Sequence, residues 1–366
     1  MRVFINIGPH PQYKEIVDYP PKGIEYEVLG KTNVSQYYSK DIEKLRSRTN
    51  SIIKIFGVPR MAYYKTDADI IFSTRGILPI TRKPWVTEVE HPYAFVGLDY
   101  RNWGWRQKML IKLFFKSKNC KRIMPNSTGA YRALENSFDV EDIRSKMKIV
   151  YLAIHYKRIQ RIKHPGINLL TVTDWVYDRG FNIIKDIYPR LKKKFNVNWT
   201  IKTNRDLLKE DYKFAKKYGI KIIKDRLSDA DMDKLYGSAD IFLYPSFVDT
   251  NSIVNYEALR AGLPVVATDI FGFTDKIIPY YNGLLVHDPG VFWSRDALRT
   301  GPVNLVNYHN KNMSEELYKN LAYLINNDRE RTKMGRNAEK TIKSGFLSIR
   351  SRNEKLKEIF ESALGR

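Results

Sequence analysis

Apolar residues gather in short, nearly unbroken runs, and between the runs they recur every three or four positions. The runs read as strands: RVFINIG (2–8), YEVLG (26–30), ADIIFST (68–74), PWVTEVE (84–90), RIMPNS (122–127) and MKIVYLAI (147–154), then INLLTVT (167–173), NWTIKT (198–203), IKIIK (220–224), DIFLYPS (240–246), LPVVATD (263–269) and GLLVH (283–287). Helical spacing fills the intervals, as in NIIKDIYPRLKKKF (182–195), DADMDKLYGSA (229–239) and SIVNYEALRAG (252–262). Uniformly apolar strands alternating with amphipathic helices predict an α/β chain with parallel sheets covered on both faces. Two such series predict two Rossmann-like, doubly wound domains, residues 1–160 and 161–345. The basic, Pro- and Gly-punctuated stretch His155–Ile167 joins them, and a last helical segment covers 346–366.

Composition agrees with two cores. A chain of 366 residues exceeds what one core supports, and 43% hydrophobic content is that of a globular protein. No apolar run is long enough to span a bilayer, and the start of the chain lacks the order of a secretory signal. Cys120 is the only cysteine, which excludes an intramolecular disulfide and fits a reducing cytoplasm. The net charge of +23 changes the picture most, because it points to anionic company: phosphorylated substrates, an anionic membrane face or nucleic acid.

In open parallel sheets, ligands bind beyond the carboxyl ends of the strands. In the second series those places are Thr173–Asp174, Lys224–Arg226, Ser246–Ser252 and Asp269–Thr274. The stretch PSFVDTNSIVNYEALRAGLPVVATD (245–269) stands out there. Asp249 and Glu257 lie about two helical turns apart, and between them Thr250, Asn251 and Ser252 are helix-capping residue types. A helix start of that kind can hold a phosphate or a sugar hydroxyl without a metal ion.

This stretch resembles the signature of the "group 1", family 4-like retaining glycosyltransferases of GT-B fold. Pro245, Ser246, Glu257, Ala258, Ala261, Gly262, Pro264, Val265 and Val266 match, and Asp249 stands where that family has the first Glu of its Glu-x7-Glu pair. RIMPNSTGAYRAL, KIVYLAIH, RGFNIIKDIYPRL, LSDADMDKLYGSADIFLYPS, FGFTDKIIPYYNGLLV and LINNDRERTKMGRNAEKTI have counterparts in the same order, densely in the second half and thinly in the first. HDPGVFWSRDALRTGPVNLVNYHNKN (287–312) has none. The resemblance implies two Rossmann-like domains facing a central cleft, with the C-terminal helix returning to the first. It implies transfer of a hexose-type unit from a nucleotide sugar to an acceptor, with retention and without metal or cofactor. Glu257 then binds the ribose hydroxyls, and Asp249 approaches the transferred sugar. Thr250, Asn251 and Ser252 replace the family's glycine-rich turn beside the diphosphate. Arg179 takes the Lys position of the family's Gly-Arg-x4-Lys-Gly, a guanidinium fork suited to phosphate. Asp174 reverses the charge of the Arg position, so Lys224 or Arg226 is expected to compensate. His91, after the strand 84–90, stands where the family often has a histidine near the donor sugar, and His10 ends the first strand's loop.

Two questions stay open on sequence alone. Arg101 to Arg122 carries eight Lys or Arg and no acid. Lys108, Lys112 and Lys116 share a helical stripe, with Trp103, Trp105, Phe114 and Phe115 as apolar companions. That reads as a helix lying on an anionic membrane near a lipid-linked acceptor, or as an ordinary domain helix. Single-stranded nucleic acid fits charge and rings, but no nucleic-acid motif accompanies them. The departures at Asp174 and at the turn also leave room for a catalytically impaired scaffold, and the fold for an epimerase or phosphorylase.

Overall fold

A computed structural model describes residues 1–8, 10–30, 55–294 and 304–366; part of the 287–312 segment, residues 295–303, lies outside them. The described residues form two units, one of those within 1–155 and 349–366, the other of those from 156 to 348.

The first unit contains β1 (Arg2–Asn6), α1 (Pro11–Asp18), β2 (Glu25–Leu29), β3 (Met61–Tyr63), β4 (Ile70–Ser73), β5 (Leu78–Ile80), β6 (Trp85–Val89), α2 (Trp105–Lys116), β7 (Cys120–Pro125) and α3 (Thr128–Ser137). Its parallel sheet runs β2-β1-β4-β6-β7, while β3 and β5 pair with each other. Strand order reverses between β1 and β4. There Asn6 closes the gap: Nδ2 donates to the Thr74 carbonyl at 3.3 Å and Oδ1 accepts the Thr74 amide at 2.9 Å. Ser127 caps α3 by accepting the Ala130 amide at 3.0 Å. The C-terminal helix Ile349–Ala363 buries Leu356, Ile359 and Phe360 in one cluster with Val3, Ile5, Phe72 and Val86. Its Arg352 donates to the carbonyls of Glu15 (3.1 Å) and Tyr19 (2.8 Å) at the end of α1, where a cation meets the negative pole of the helix.

Residues 147–154 differ from expectation. They are extended, but only an isolated bridge between Met147 and Ile123 and amide bonds from Lys148 and Val150 tie them to β7. Val150, Leu152, Ala153 and Ile154 are buried, so the apolar run signals burial rather than strand pairing. The short β3 and β5 carry too few residues to show an alternation.

The second unit contains β8 (Ile167–Val172), α4 (Phe181–Lys194), β9 (Val197–Lys202), α5 (Lys209–Tyr218), β10 (Lys221–Ile223), α6 (Asp229–Gly237), β11 (Ile241–Tyr244), α7 (Ile253–Arg260), β12 (Val265–Thr268), α8 (Phe273–Lys276), β13 (Gly283–Val286), α9 (Lys311–Asn326) and α10 (Asp328–Lys343). All strands are parallel, in the order β10-β9-β8-β11-β12-β13. This is the doubly wound Rossmann order, with its reversal between β8 and β11. Every residue of β11 and β12 is buried, each large apolar side chain contributing roughly 1.5–3 kcal/mol. Trp199 anchors the core between Phe181 and Tyr188, with ring centroids 5.7 and 5.5 Å away.

Candidate functional site

In open parallel sheets the crevice that takes a ligand lies at the carboxyl ends of the strands where their order reverses, here between β8 and β11, and the sequence-predicted Arg179 and Asp249 meet there. Arg179 follows β8 and Asp249 follows β11. Arg179 Nη2 lies 3.3 Å from Asp249 Oδ2, both side chains being largely buried. Tyr244, the last residue of β11, joins them: its hydroxyl accepts from Arg179 Nε at 2.7 Å and donates to Asp249 Oδ2 at 3.0 Å. Arg179 Nη1 also donates to the Val248 carbonyl at 2.9 Å. Burial alone would lower the guanidinium's proton affinity, but the Tyr244 and Asp249 oxygens overcome this and raise it. Burial, with Asp249 adding, also pushes the Tyr244 hydroxyl above its ordinary value, so Tyr244 stays protonated. Gly180 makes the approach of β8's loop to β11 feasible. Its φ is +79°, and a Cβ would stand 2.2 Å from the Pro245 carbonyl oxygen.

Glu257 lies on α7, one step further along the motif. Its Oε2 accepts the Tyr236 hydroxyl at 2.8 Å, and burial raises its carboxyl above the ordinary value. Between the two acids, Asn251 turns inward: Oδ1 accepts from Lys276 Nζ at 2.7 Å and from the Tyr256 hydroxyl at 3.1 Å. Lys276 is only 1% exposed and sits over the Tyr256 and Phe273 rings. The Thr250 carbonyl accepts the Gly272 amide at 3.2 Å. Ser252 occupies the cap position of α7 without a side-chain cap bond. The glycine-free turn is thus held by a buried lysine and by a backbone bond to residues after β12. Tyr244, Tyr236 and Lys276 escaped the sequence reading. Tyr244 could have been found as the residue ending the strand before Pro245-Ser246, whereas no local pattern marks the other two.

Among the described residues, Lys224, Arg226 and Asp174 make no hydrogen bond or ion pair with this cluster. Lys224, expected to compensate for Asp174, pairs with Asp206, and Arg226 is exposed. Asp174 accepts the Asn204 amide at 2.8 Å and its side-chain amide at 3.3 Å, so its charge is engaged away from Arg179. In the first unit, His91 is 2% exposed. Its Nδ1 caps the turn Pro92–Val96 by accepting the Tyr93 amide at 3.1 Å. His10 caps α1 in the same way at 3.4 Å. The stripe on α2 is also partly engaged: Lys112 reaches Asp139 at 2.8 Å, Lys116 reaches Asp142 at 3.0 Å, and Lys108 lies over the Trp103 ring. Trp103 packs edge-on against Tyr93 and Phe138, and Phe115 is fully buried; these rings belong to the core and not to a membrane-facing edge. The exposed rings and chains of α2 are Trp105 (68%), Met109 (56%) and Leu113 (63%). Cys120 is buried, its thiol pushed up to about 12 by burial. Among the described residues, no three His, Cys, Asp or Glu side chains gather where they could hold one metal ion, and no helix is long and apolar enough to cross a membrane.

Two doubly wound parallel sheets are the architecture of the GT-B fold. The solved structure of Anabaena Alr3699/HepE in complex with UDP-glucose superimposes with a TM-score of 0.61 at 14% identity, covering 99% of this chain and 100% of that one. Sucrose-phosphate synthase from Thermosynechococcus elongatus gives 0.62 at 9% identity, covering 100% and 99%. Residues 155–291 match the profile of the family described as "Glycosyl transferases group 1". An uncharacterized glycosyltransferase of Methanocaldococcus jannaschii, MJ1607, is 26% identical over 137 residues, 37% of this chain and 35% of that protein. The chain thus matches about a third of that relative's length.

Proposed function

We propose that the protein is a glycosyltransferase that takes a sugar from a nucleotide-sugar donor bound at the β8/β11 crevice. The observation that carries this reading is the Arg179–Tyr244–Asp249 cluster at the strand-order reversal, inside the family-matching segment. Two of the five guanidinium N–H groups of Arg179 hydrogen-bond within the protein and Nη2 faces Asp249, which leaves N–H groups for a diphosphate oxygen. Charge-assisted bonds to a leaving diphosphate strengthen as negative charge develops on it, so they favour the transition state over the ground state. In this reading the Asp249 carboxylate, oriented by the Tyr244 hydroxyl and Arg179, holds sugar hydroxyls and stabilises developing positive charge at the anomeric carbon. Oε1 of Glu257 accepts from the ribose diol, with Oε2 fixed by Tyr236. In this reading a hexose is transferred with retention, and cations and helix dipoles do the work a metal does elsewhere. Alr3699/HepE, which shares the fold, was solved with UDP-glucose.

The test is incubation with common nucleotide sugars and measurement of nucleotide release, with and without EDTA. We expect release from one donor, insensitive to EDTA, lost in Asp249→Ala. Arg179→Ala should weaken both donor binding and turnover. Absence of binding and turnover with every donor would favour a scaffold, and a pyridoxal absorbance in the purified protein would favour a phosphorylase.

A peripheral membrane location, with a lipid-linked acceptor, is the second reading. It rests on the exposed i, i+4, i+8 stripe Trp105, Met109 and Leu113 beside the basic side chains of Arg101 to Arg122. Co-sedimentation with anionic but not neutral vesicles, lost in Trp105→Ser/Leu113→Ser, is expected. Sedimentation indifferent to lipid charge would exclude it.

A further inference from the structure

A second concavity lies at the opposite edge of the second unit's sheet. It measures about 800 Å³ and is lined by Arg158, Arg161, Arg260, Arg331 and Arg336 together with Asp240, Asp328 and Glu339. Asp240 immediately precedes β11, and Pro264, also in the lining, precedes β12. The cavity therefore sits at the amino ends of strands whose carboxyl ends carry the donor cluster, a strand length of about 13 Å away.

The carboxylates in this cavity already have partners. Asp240 lies 3.2 Å from Arg161 and 3.4 Å from His164, and it accepts the Asn168 amide at 2.8 Å. Glu339 accepts the Tyr156 hydroxyl, and Asp328 pairs with Arg331 at 2.6 Å. The cations are less satisfied. The exposed side chains of Arg158 and Arg336 make no ion pair or hydrogen bond among the described residues. Arg260 is the more telling. Its side chain is 10% exposed, its nearest carboxylate contact is Asp233 at 3.9 Å, and its Nε is buried with no protein acceptor. A buried, unpaired guanidinium N–H is costly, and an anion in the cavity would offset the charge of this guanidinium at its wall. Burial lowers the Arg161 guanidinium below its ordinary value; Asp240 opposes this, and the neighbouring charge of Arg331 adds to it.

The walls are preformed. The Ile162 amide donates to the Gly237 carbonyl at 2.9 Å, and a Cβ on Gly237 would stand 2.2 Å from the Gln160 carbonyl oxygen, so the segment carrying Arg158 and Arg161 is held tightly against α6. One face of the 16-residue α10 runs along the cavity and supplies Asp328, Arg331, Gly335 and Arg336.

We propose that this cavity is a second anion site, distinct from the donor site, that takes a small molecule bearing a phosphate or diphosphate group. Guanidinium forks match phosphate oxygens bidentately. The volume lies within the range of small-molecule sites, about 300–1,000 Å³, and the concavity favours such a ligand over an extended polyanion.

Inorganic pyrophosphate, titrated calorimetrically at physiological salt, tests this on the full chain. The donor cluster can also take a diphosphate, so the titration is repeated in Arg179→Ala, where saturable binding should persist. Arg158→Glu/Arg336→Glu changes two exposed side chains without partners and should fold normally. It should weaken pyrophosphate binding in the Arg179→Ala background about tenfold or more and leave UDP affinity unchanged. Arg260→Met should weaken pyrophosphate in the same direction. Loss of all pyrophosphate binding in Arg179→Ala, or binding there that ignores the Arg158/Arg336 and Arg260 changes, would overturn the proposal. So would preferential binding of a single-stranded oligonucleotide through the same arginines.

Discussion

Glu88→Gln should make the first unit more stable at neutral pH and remove a defined pH dependence. Glu88 lies on β6, is nearly buried, and accepts from Gln12 Nε2 at 3.3 Å. Burial first, then the negative charge of Glu90, lift its carboxyl from the ordinary 4.5 to about 8, against smaller opposing effects of Asn126 and Arg352. The folded protein therefore keeps a proton at pH 7 that the unfolded chain has lost. For an acid raised in the folded state, stability is full below about 4.5, falls as pH rises, and levels off above about 8. At about 1.4 kcal/mol per pH unit, the wild type loses about 3 kcal/mol of stability by pH 7. Glutamine keeps the acceptor for Gln12 and cannot ionise, so the variant should be flat across this window and exceed the wild type by up to about 3 kcal/mol at pH 7. Urea denaturation between pH 4.5 and 8.5, followed by amide exchange in Trp85–Val89, measures the difference. A stability gap between variant and wild type that does not widen with pH, or a variant weaker than wild type at pH 7.5, would refute the reasoning.

Three further outcomes concern the candidate site. Tyr244→Phe removes the hydroxyl between Arg179 and Asp249 and should lower turnover about tenfold, roughly 1.5 kcal/mol, with a smaller change in donor KM; steady-state kinetics of nucleotide release will show it. Gly180→Ala forces a left-handed Cβ against the Pro245 carbonyl, costing about 1–2 kcal/mol for the conformation and about 1–3 more for the contact. Thermal denaturation should reveal the loss, together with weaker UDP binding. Because burial raises the Glu257 carboxyl, UDP affinity should begin to fall on acidification at a pH above the usual carboxylate range. Glu257→Gln should bind UDP weakly and without that dependence, as fluorescence titration across pH can test.

Periodicity and composition were enough to mark most strands and helices and to divide the chain into two doubly wound halves, because strand and helix preference depends on neighbours a few residues away. The motif around Asp249 and Glu257 was legible for the same reason: its acids, capping residues and Gly-x-Pro turn lie within one short stretch. The run 147–154 shows the limit, since an apolar pattern reports burial and not which backbone supplies the hydrogen bonds. Tertiary structure decided the rest. It set the strand order, and with it the β8/β11 reversal that brings Arg179 against Tyr244 and Asp249, about 65 and 70 positions later. It made His91 a buried cap, engaged Lys224 with Asp206, turned Trp103 and Phe115 into core, and buried Lys276 beneath Asn251. Such pairings depend on which strands become neighbours, and that choice is made by packing between segments far apart in the chain, which no local spacing records.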